Sequence, residues 1–290
     1  MQKNRIKVLV LGATGMLGHE VLRVLNDRPQ FETFGSMRSS SLRSSLPAAL
    51  GDRLLTGVDV LDVDGLAALL ARVKPHAVIN CVGLVKQLGN ADDPLAALPL
   101  NALFPHRLAR LCELISARVI HISTDCVFKG DRGFYKESDI PDAVDLYGRS
   151  KLLGELTQGN VVTLRTSIIG RELHGQHGLV DWFLQAQSPI KGFANAIFSG
   201  LTTHELARII AEIVLPRPEL KGLWHVSAAP IDKYSLLQLI NNIYNKGTTI
   251  IEDRAFKLDR SLDSSRFQHE TGYRAPEWTQ MISDMHAGGR

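Results

Sequence analysis

The chain of 290 residues has only three cysteines, Cys81, Cys112 and Cys126. An odd count at no metal-ligand spacing excludes a disulfide framework and fits reduced thiols. Long hydrophobic runs are missing, so no segment can cross a bilayer as a helix, and no membrane partner is expected. A surplus of one charge is missing too: the formal net charge is +3, with Lys and Arg scattered along the chain. A nucleic-acid binder needs a concentrated basic face, so no nucleic-acid partner is expected. The polar start, Met1 to Lys7, lacks the apolar stretch and small-residue site of a signal peptide, which predicts a cytoplasmic protein. No G-x-S-x-G nucleophile elbow occurs. His174 and His177 flank Gly175-Gln176 in a polar stretch without convergent partners, so no metal site is expected.

What is present is a rhythm. Hydrophobic residues make up 44% of the chain, enough for a full core. Ile6 to Leu11 is a continuous aliphatic run, the mark of a strand buried on both faces. Further strands are predicted at Phe31 to Gly35, Leu54 to Val60, Ala77 to Val82, Arg118 to Ser123 and Val161 to Arg165. Helical apolar spacing falls between them, at Glu20 to Leu25, Gly65 to Val73, within Pro94 to Ser116, and at Leu146 to Leu156; Pro105 should bend or restart the third of these. Alternation of this kind predicts an α/β fold, a Rossmann-type doubly wound parallel sheet. After about Ile169 the rhythm changes. Helices are predicted at His204 to Leu215 and Ser235 to Tyr244, with short strands at Leu223 to Val226 and Thr248 to Ile251. The expected division is a Rossmann domain over 1–168 and a smaller C-terminal α/β lobe, mainly for substrate, over 169–290, with some segments returning to the first.

Gly12-Ala13-Thr14-Gly15-Met16-Leu17-Gly18 follows a strand and opens a helix, the context that gives a glycine motif meaning. Gly12 permits the tight turn, Gly15 a close approach of pyrophosphate, and Gly18 close packing of the helix. The helix N-terminus offers N–H groups to the phosphates. No acid stands about 20 positions further on to hold a ribose 2′-hydroxyl. Ser36-Met37-Arg38-Ser39 stands there instead, and Arg38 with Ser39 suits a 2′-phosphate. NADP(H) is therefore favoured, and NAD(H) stays open. Asp59 and Val60 close the third predicted strand, where Asp59 is either an adenine contact or a turn residue. Cys81, Val82 and Gly83 end the fourth strand beside the coenzyme path, and Gly83 allows close backbone approach.

Tyr147 and Lys151 form Tyr-x-x-x-Lys, which places both on one helical face. A phenol has a pKa of about 10, and an ammonium beside it should lower that value. Ser123-Thr124-Asp125 ends the fifth strand, where open α/β sheets collect ligands. Thr124 supplies a hydroxyl to polarise a carbonyl, and Ser123 lies beside the coenzyme. These parts match hydride transfer: a coenzyme, a proton donor and a donor to the developing alkoxide.

Gly12 to Gly18, Ser123-Thr124-Asp125, Tyr147-Gly148-Arg149-Ser150-Lys151, Leu164-Arg165-Thr166-Ser167 and Arg260-Ser261-Leu262-Asp263-Ser264 occur in this order. Together they resemble the dTDP-4-dehydrorhamnose reductase branch of the extended short-chain dehydrogenase/reductases, over nearly the whole chain. The resemblance implies NADPH-dependent reduction of a keto group, at C4 of a nucleotide-linked deoxysugar, for surface-polysaccharide synthesis. It implies Tyr147 as acid, Lys151 as its partner and Thr124 as the hydroxyl, with Asp125, Cys126 and Ile168 at the sugar. Two positions depart from the branch, which usually has tyrosine where this chain has Cys126 and tryptophan where it has Ile168. Both replace aromatic walls of the sugar pocket, so a talose- or acetamido-type sugar competes with the rhamnose precursor. A nucleotide-sugar epimerase or dehydratase, a non-catalytic regulatory subunit and a homodimer stay open.

Overall fold

The computed structural model describes residues 5–84 and 92–288. Strands β1 (Ile6–Leu11), β2 (Phe31–Ser36), β3 (Leu54–Leu55), β4 (Ala77–Asn80), β5 (Arg118–Thr124) and β6 (Val161–Thr166) lie in one parallel sheet. Next come β7 (Ile168–Ile169), β8 (Ile190–Phe198) and β9 (Leu201–Thr202) outside it, and then β10 (Gly222–His225) returns as its seventh strand. The order β10-β6-β5-β4-β1-β2-β3 reverses direction between β1 and β4. That reversal opens a crevice at the carboxyl ends of the strands, where such sheets bind ligands. The expected Rossmann-type sheet is present.

The apolar runs explain the layering. In β1, Val8 and Val10 face one hydrophobic cluster while Leu9 and Leu11 face the other, and all four are fully buried. On one face pack α1 (Gly18–Asn26), α7 (Thr203–Ile209) and α10 (Trp278–Gly288), through Val21, Leu206 and Met281 among others. On the other pack α2 (Val63–Val73) and α4 (Phe104–Leu114), through Leu66 and Leu108. An ionic clamp joins α1 to α7. Buried Glu20 bonds Arg23 and His204 Nδ1, each at 2.6 Å. Burial alone would raise the Glu20 carboxyl, but the His204 and Arg23 contacts outweigh it and hold the pKa at about 2.

Several predicted elements change length for local reasons. The third strand stops at Leu55 rather than Val60, because Gly57 turns the chain at φ 75°. The fourth stops at Asn80, whose Oδ1 takes the Val82 N–H at 3.1 Å and curls the chain away. The helix expected within 94–116 is three pieces: α3 (Pro94–Ala97), a π-helical stretch Leu98–Leu103, and α4. Pro99 and Pro105 each lack an N–H, and the wider turn between them accommodates the interruption. The tyrosine helix, α5 (Leu146–Leu153), ends three residues early.

The sequence reading missed α6 (Leu179–Gln185) and the nine-residue strand β8. It also saw only the start of β12 (Ile250–Asp259), which follows β11 (Ile231–Asp232) and α8 (Lys233–Ile243). These strands form a second sheet in the order β11-β8-β12. Its signal is weak because Gly192 and Asn195 interrupt the apolar alternation of β8. Beyond it, α9 (Ser265–Thr271) leads to α10. The end of β12 returns to the loop after β5, with bridges from Asp131 to Asp259 and Tyr135 to Leu262.

Candidate active site

The glycine turn leaves β1 at the crevice. Gly12 has φ 79°, which L side chains rarely adopt, and a Cβ on Gly18 would overlap the Gly12 carbonyl oxygen. Gly15 is exposed at the turn's outer edge. Helix α1 begins without a side-chain cap, and within the turn the Gly15 N–H returns to Gly12 O at 3.0 Å and the His19 N–H to Gly15 O at 3.1 Å. Thr14 and Met16 are half-buried, and Leu17 is buried.

Arg38 and Ser39 follow β2 and are exposed. Among the described residues no carboxylate pairs with the Arg38 guanidinium, while the Ser39 hydroxyl bonds Ser41 at 3.1 Å. Asp59 does not close a strand; its Oδ1 accepts from Leu61 N at 3.0 Å in a turn, and Val60 beside it is buried. These residues form one end of the crevice, away from the reactive groups.

At the other end, β5 delivers Thr124 and α5 delivers Tyr147 and Lys151. Asp145 caps α5, accepting from Gly148 N at 2.8 Å. A Cβ on Gly148 would overlap the Cys126 carbonyl, so this glycine lets the helix touch the strand end. The result brings the Tyr147 hydroxyl within reach of Thr124, which stabilises the phenolate form slightly. Buried Lys151 donates from Nζ to Ile122 O at 2.8 Å, and Gly83 lies across from its ammonium. Burial lowers the Lys151 pKa to about 8, while Glu155 and Cys81 work the other way.

The sequence predicted an ammonium-lowered phenol, and the structure corrects this. Burial, with the Cys126 thiol and the Asp125 and Asp145 carboxylates nearby, pushes Tyr147 well above its ordinary value; the neighbouring Thr124 only partly offsets them. Lys151 is spent on the β5 carbonyl instead. A phenol held protonated suits a proton donor.

Cys81 and Cys126 face different neighbours. Burial pushes both thiols up to about 12, with Lys151 beside the first and with Asp125 and Arg260 beside the second. Ser123 turns its hydroxyl to Glu155 at 2.6 Å, in a buried network with Arg165. Burial raises Asp125, although Thr124 Oγ1 donates to it at 3.3 Å and Cys126, Arg260 and Ser167 nearby work the other way. Ile168, next to Ser167, is half-buried and pairs with Leu201. Among the described residues no three His, Cys, Asp or Glu gather as a metal site. No helix among them is long and apolar enough to cross a membrane.

Three contributors escaped the sequence reading. Asn101, in the π-helical stretch, is 1% exposed. Its amide donates to Leu84 O and Ser150 Oγ, each at 3.1 Å, and its oxygen accepts from Leu84 N at 2.8 Å. It thereby joins the exit of β4 to the tyrosine helix. An asparagine inside the apolar Leu98–Leu103 stretch was the available signal. The second is Lys233, at the start of α8, which left no such mark; the third is Arg260, after β12, which stood in the Arg260 to Ser264 motif without a role assigned to it.

A model of the RmlD substrate binding domain matches residues 6–288. Methionine adenosyltransferase 2 subunit beta of Mus musculus is 32% identical over 253 residues, covering 82% of this chain and 72% of that protein. The probable low-salt glycan biosynthesis reductase Agl14 of Haloferax volcanii is 36% identical over 147 residues, 50% of this chain and 46% of that protein. That match spans about half of either length. The crystal structure of dTDP-4-dehydrorhamnose reductase from Bacillus anthracis, in complex with NADP, superposes with a TM-score of 0.81 at 21% identity, over 99% of this chain and 100% of that one. At that identity the likeness speaks for the fold.

Proposed function

Because this chain belongs to the RmlD substrate binding domain family, we propose that it is an NADPH-dependent reductase of the keto group, at C4, of a nucleotide-linked deoxysugar. It supplies a precursor for surface polysaccharide and works in the cytoplasm. The observation that carries this is the meeting of Tyr147, its phenol held protonated by burial, with Thr124 at the end of β5.

The turn at Gly12 to Gly18 fits a dinucleotide, since side chains on Gly12 or Gly18 would be strained or overlap backbone. Arg38, without a carboxylate partner among the described residues, suits a 2′-phosphate, and a chain like this one is solved with NADP. When bound, the reduced coenzyme supplies a hydride to the carbonyl carbon. Tyr147 gives its phenolic proton to the carbonyl oxygen, so the product is an alcohol. Thr124 orients that oxygen. Lys151, charged below about pH 8, offers its remaining N–H groups to the nicotinamide ribose.

The test is a turnover screen of NADPH against a panel of nucleotide-linked 4-keto sugars, read by loss of reduced-coenzyme absorbance. Oxidation with at least one sugar is expected. No oxidation with any, or purification with tightly held NAD and isomerisation of a nucleotide sugar, overturns the reading. The similarity to an adenosyltransferase subunit supports a second reading, a regulatory subunit that binds coenzyme without turning over. Coenzyme binding without turnover, plus co-elution with an adenosyltransferase catalytic subunit, would favour it.

A further inference from the structure

The helix that carries Tyr147 and Lys151 grips β5 at two successive residues. Tyr147, Lys151 and Glu155 recur at four-residue intervals. The helical turn runs on past the end of α5, with Glu155 N bonded to Leu152 O at 3.1 Å. A Cβ on Gly154 would overlap the Asn101 carbonyl oxygen, so the helix end lies close against the π-helical stretch. From this run Lys151 Nζ donates to Ile122 O at 2.8 Å, and Glu155 Oε1 accepts from Ser123 Oγ at 2.6 Å. Ile122 O and Ser123 N belong to one planar peptide unit. Whatever fixes Ser123 therefore fixes the carbonyl that aims the Lys151 ammonium, and Thr124 is the next residue of the strand.

Glu155 is itself held fast. Its buried carboxylate takes Nε and Nη2 of buried Arg165 at 2.7 Å each, a planar two-bond pair with one geometry. Arg165 stands beside Ser123 in the β5–β6 register. It also bonds the His225 ring of β10 at 3.3 Å and lies over the Phe128 ring, 5.2 Å from its centroid. The third bond of the carboxylate, to Ser123, is thus delivered at a set place. Ser123 is buried and gives its O–H to Glu155, so it serves the site through its backbone. A buried ion pair adds little to stability, because apolar residues of like volume often hold a core as well. Its position says more: the pair meets the strand one residue before Thr124, beside the acceptor of Lys151.

We propose that Glu155, anchored by Arg165, is a positioning residue for the reduction: by holding the Ser123 hydroxyl it fixes the end of β5, so that Thr124 and the Ile122 acceptor of Lys151 stand in register with Tyr147. It acts through Ser123 and needs no contact with coenzyme or sugar. The inference rests on the reductase reading above.

Two variants of the full chain test it, assayed with NADPH and dTDP-4-keto-6-deoxyglucose, or with whichever 4-keto sugar of the panel the native protein turns over. Ser123→Ala removes the tie and leaves the buried pair intact. Glu155→Leu combined with Arg165→Leu removes the tie and the pair together, so no buried charge is left alone. In both, kcat at saturating sugar should fall on the order of tenfold, since a misplacement of about 1 Å can cost a hundredfold. The NADPH dissociation constant and the melting temperature should stay close to native. Native kcat in either variant overturns the inference. So does a fall in kcat matched by an equal loss of NADPH affinity, the mark of a loosened sheet rather than a misplaced reactive set. If the double variant does not fold, Ser123→Ala alone decides. Turnover by the native protein with unimpaired variants sinks this inference and leaves the reductase standing. If the native protein turns over no sugar of the panel, the reductase reading fails and takes the positioning role with it.

Discussion

The two ends of the crevice are built from different materials. The end proposed for the coenzyme is mostly backbone: a glycine turn and a helix start, with one arginine after β2. The end proposed for the sugar is mostly side chains, gathered from β5, α5 and the segment after β12. Backbone sites need particular residues at fixed spacing, because only glycine fits where a Cβ would overlap a carbonyl. Side-chain sites need only that the fold bring suitable groups together. The first kind writes a motif and the second does not.

Substitutions can sharpen this contrast. The largest effect is expected at the junction of the two ends. Tyr147→Phe should lower turnover on the order of 10²–10⁴-fold while NADPH titration by fluorescence stays close to native. Preserved turnover would remove the phenol from the chemistry. Next, Gly18→Ala should damage the coenzyme end alone. Its Cβ would overlap the Gly12 carbonyl, costing about 1–3 kcal/mol, seen as a lower melting temperature and a smaller rise on adding NADPH. A native melt with native NADPH stabilisation would show that the turn has slack.

Arg38→Ala should weaken NADPH about ten- to a hundredfold and NADH far less. Equal losses would place the 2′-phosphate elsewhere. The smallest effect is a matter of pH. Lys151 is charged below its folded pKa of about 8, so kcat/KM should hold below that value and fall as pH rises through it. Tyr147 is pushed upward instead and does not cause this limb. A profile flat to pH 9.5 would mean that Lys151 works without its charge, or that its burial is relieved when ligands bind.

Legibility in the sequence followed the same divide. β1, the Gly12 to Gly18 turn, and the Thr124, Tyr147 and Lys151 set were all visible, since apolar runs and fixed spacings are local. Strand ends were read too long at Val60 and Val82, because a glycine at positive φ and an asparagine side chain stopped them early. The direction of the Tyr147 shift was misjudged. Spacing places Lys151 on the same helical face, but only the fold shows that its ammonium is held by Ile122 O. Lys233 lies more than 80 residues from Tyr147, and nothing local distinguishes it from a surface cation; Arg260 stood in a motif of the resemblance, but its contact with Cys126 came only with the fold. Asn101 was in plain view but silent, since its three bonds go to residues brought near only by folding.

The last consequence concerns β10. The main sheet receives this edge strand only after the polypeptide has left to make β7, β8 and β9, and β10 pairs with β6 from Gly222 to His225. A fragment cut after residue 168 therefore exposes the hydrogen-bonding groups of β6 along a long, apolar margin. Such a piece is expected to associate with itself rather than behave as a free-standing nucleotide binder. The same stitching fastens the segments between β6 and β10 to the main sheet at both of their ends.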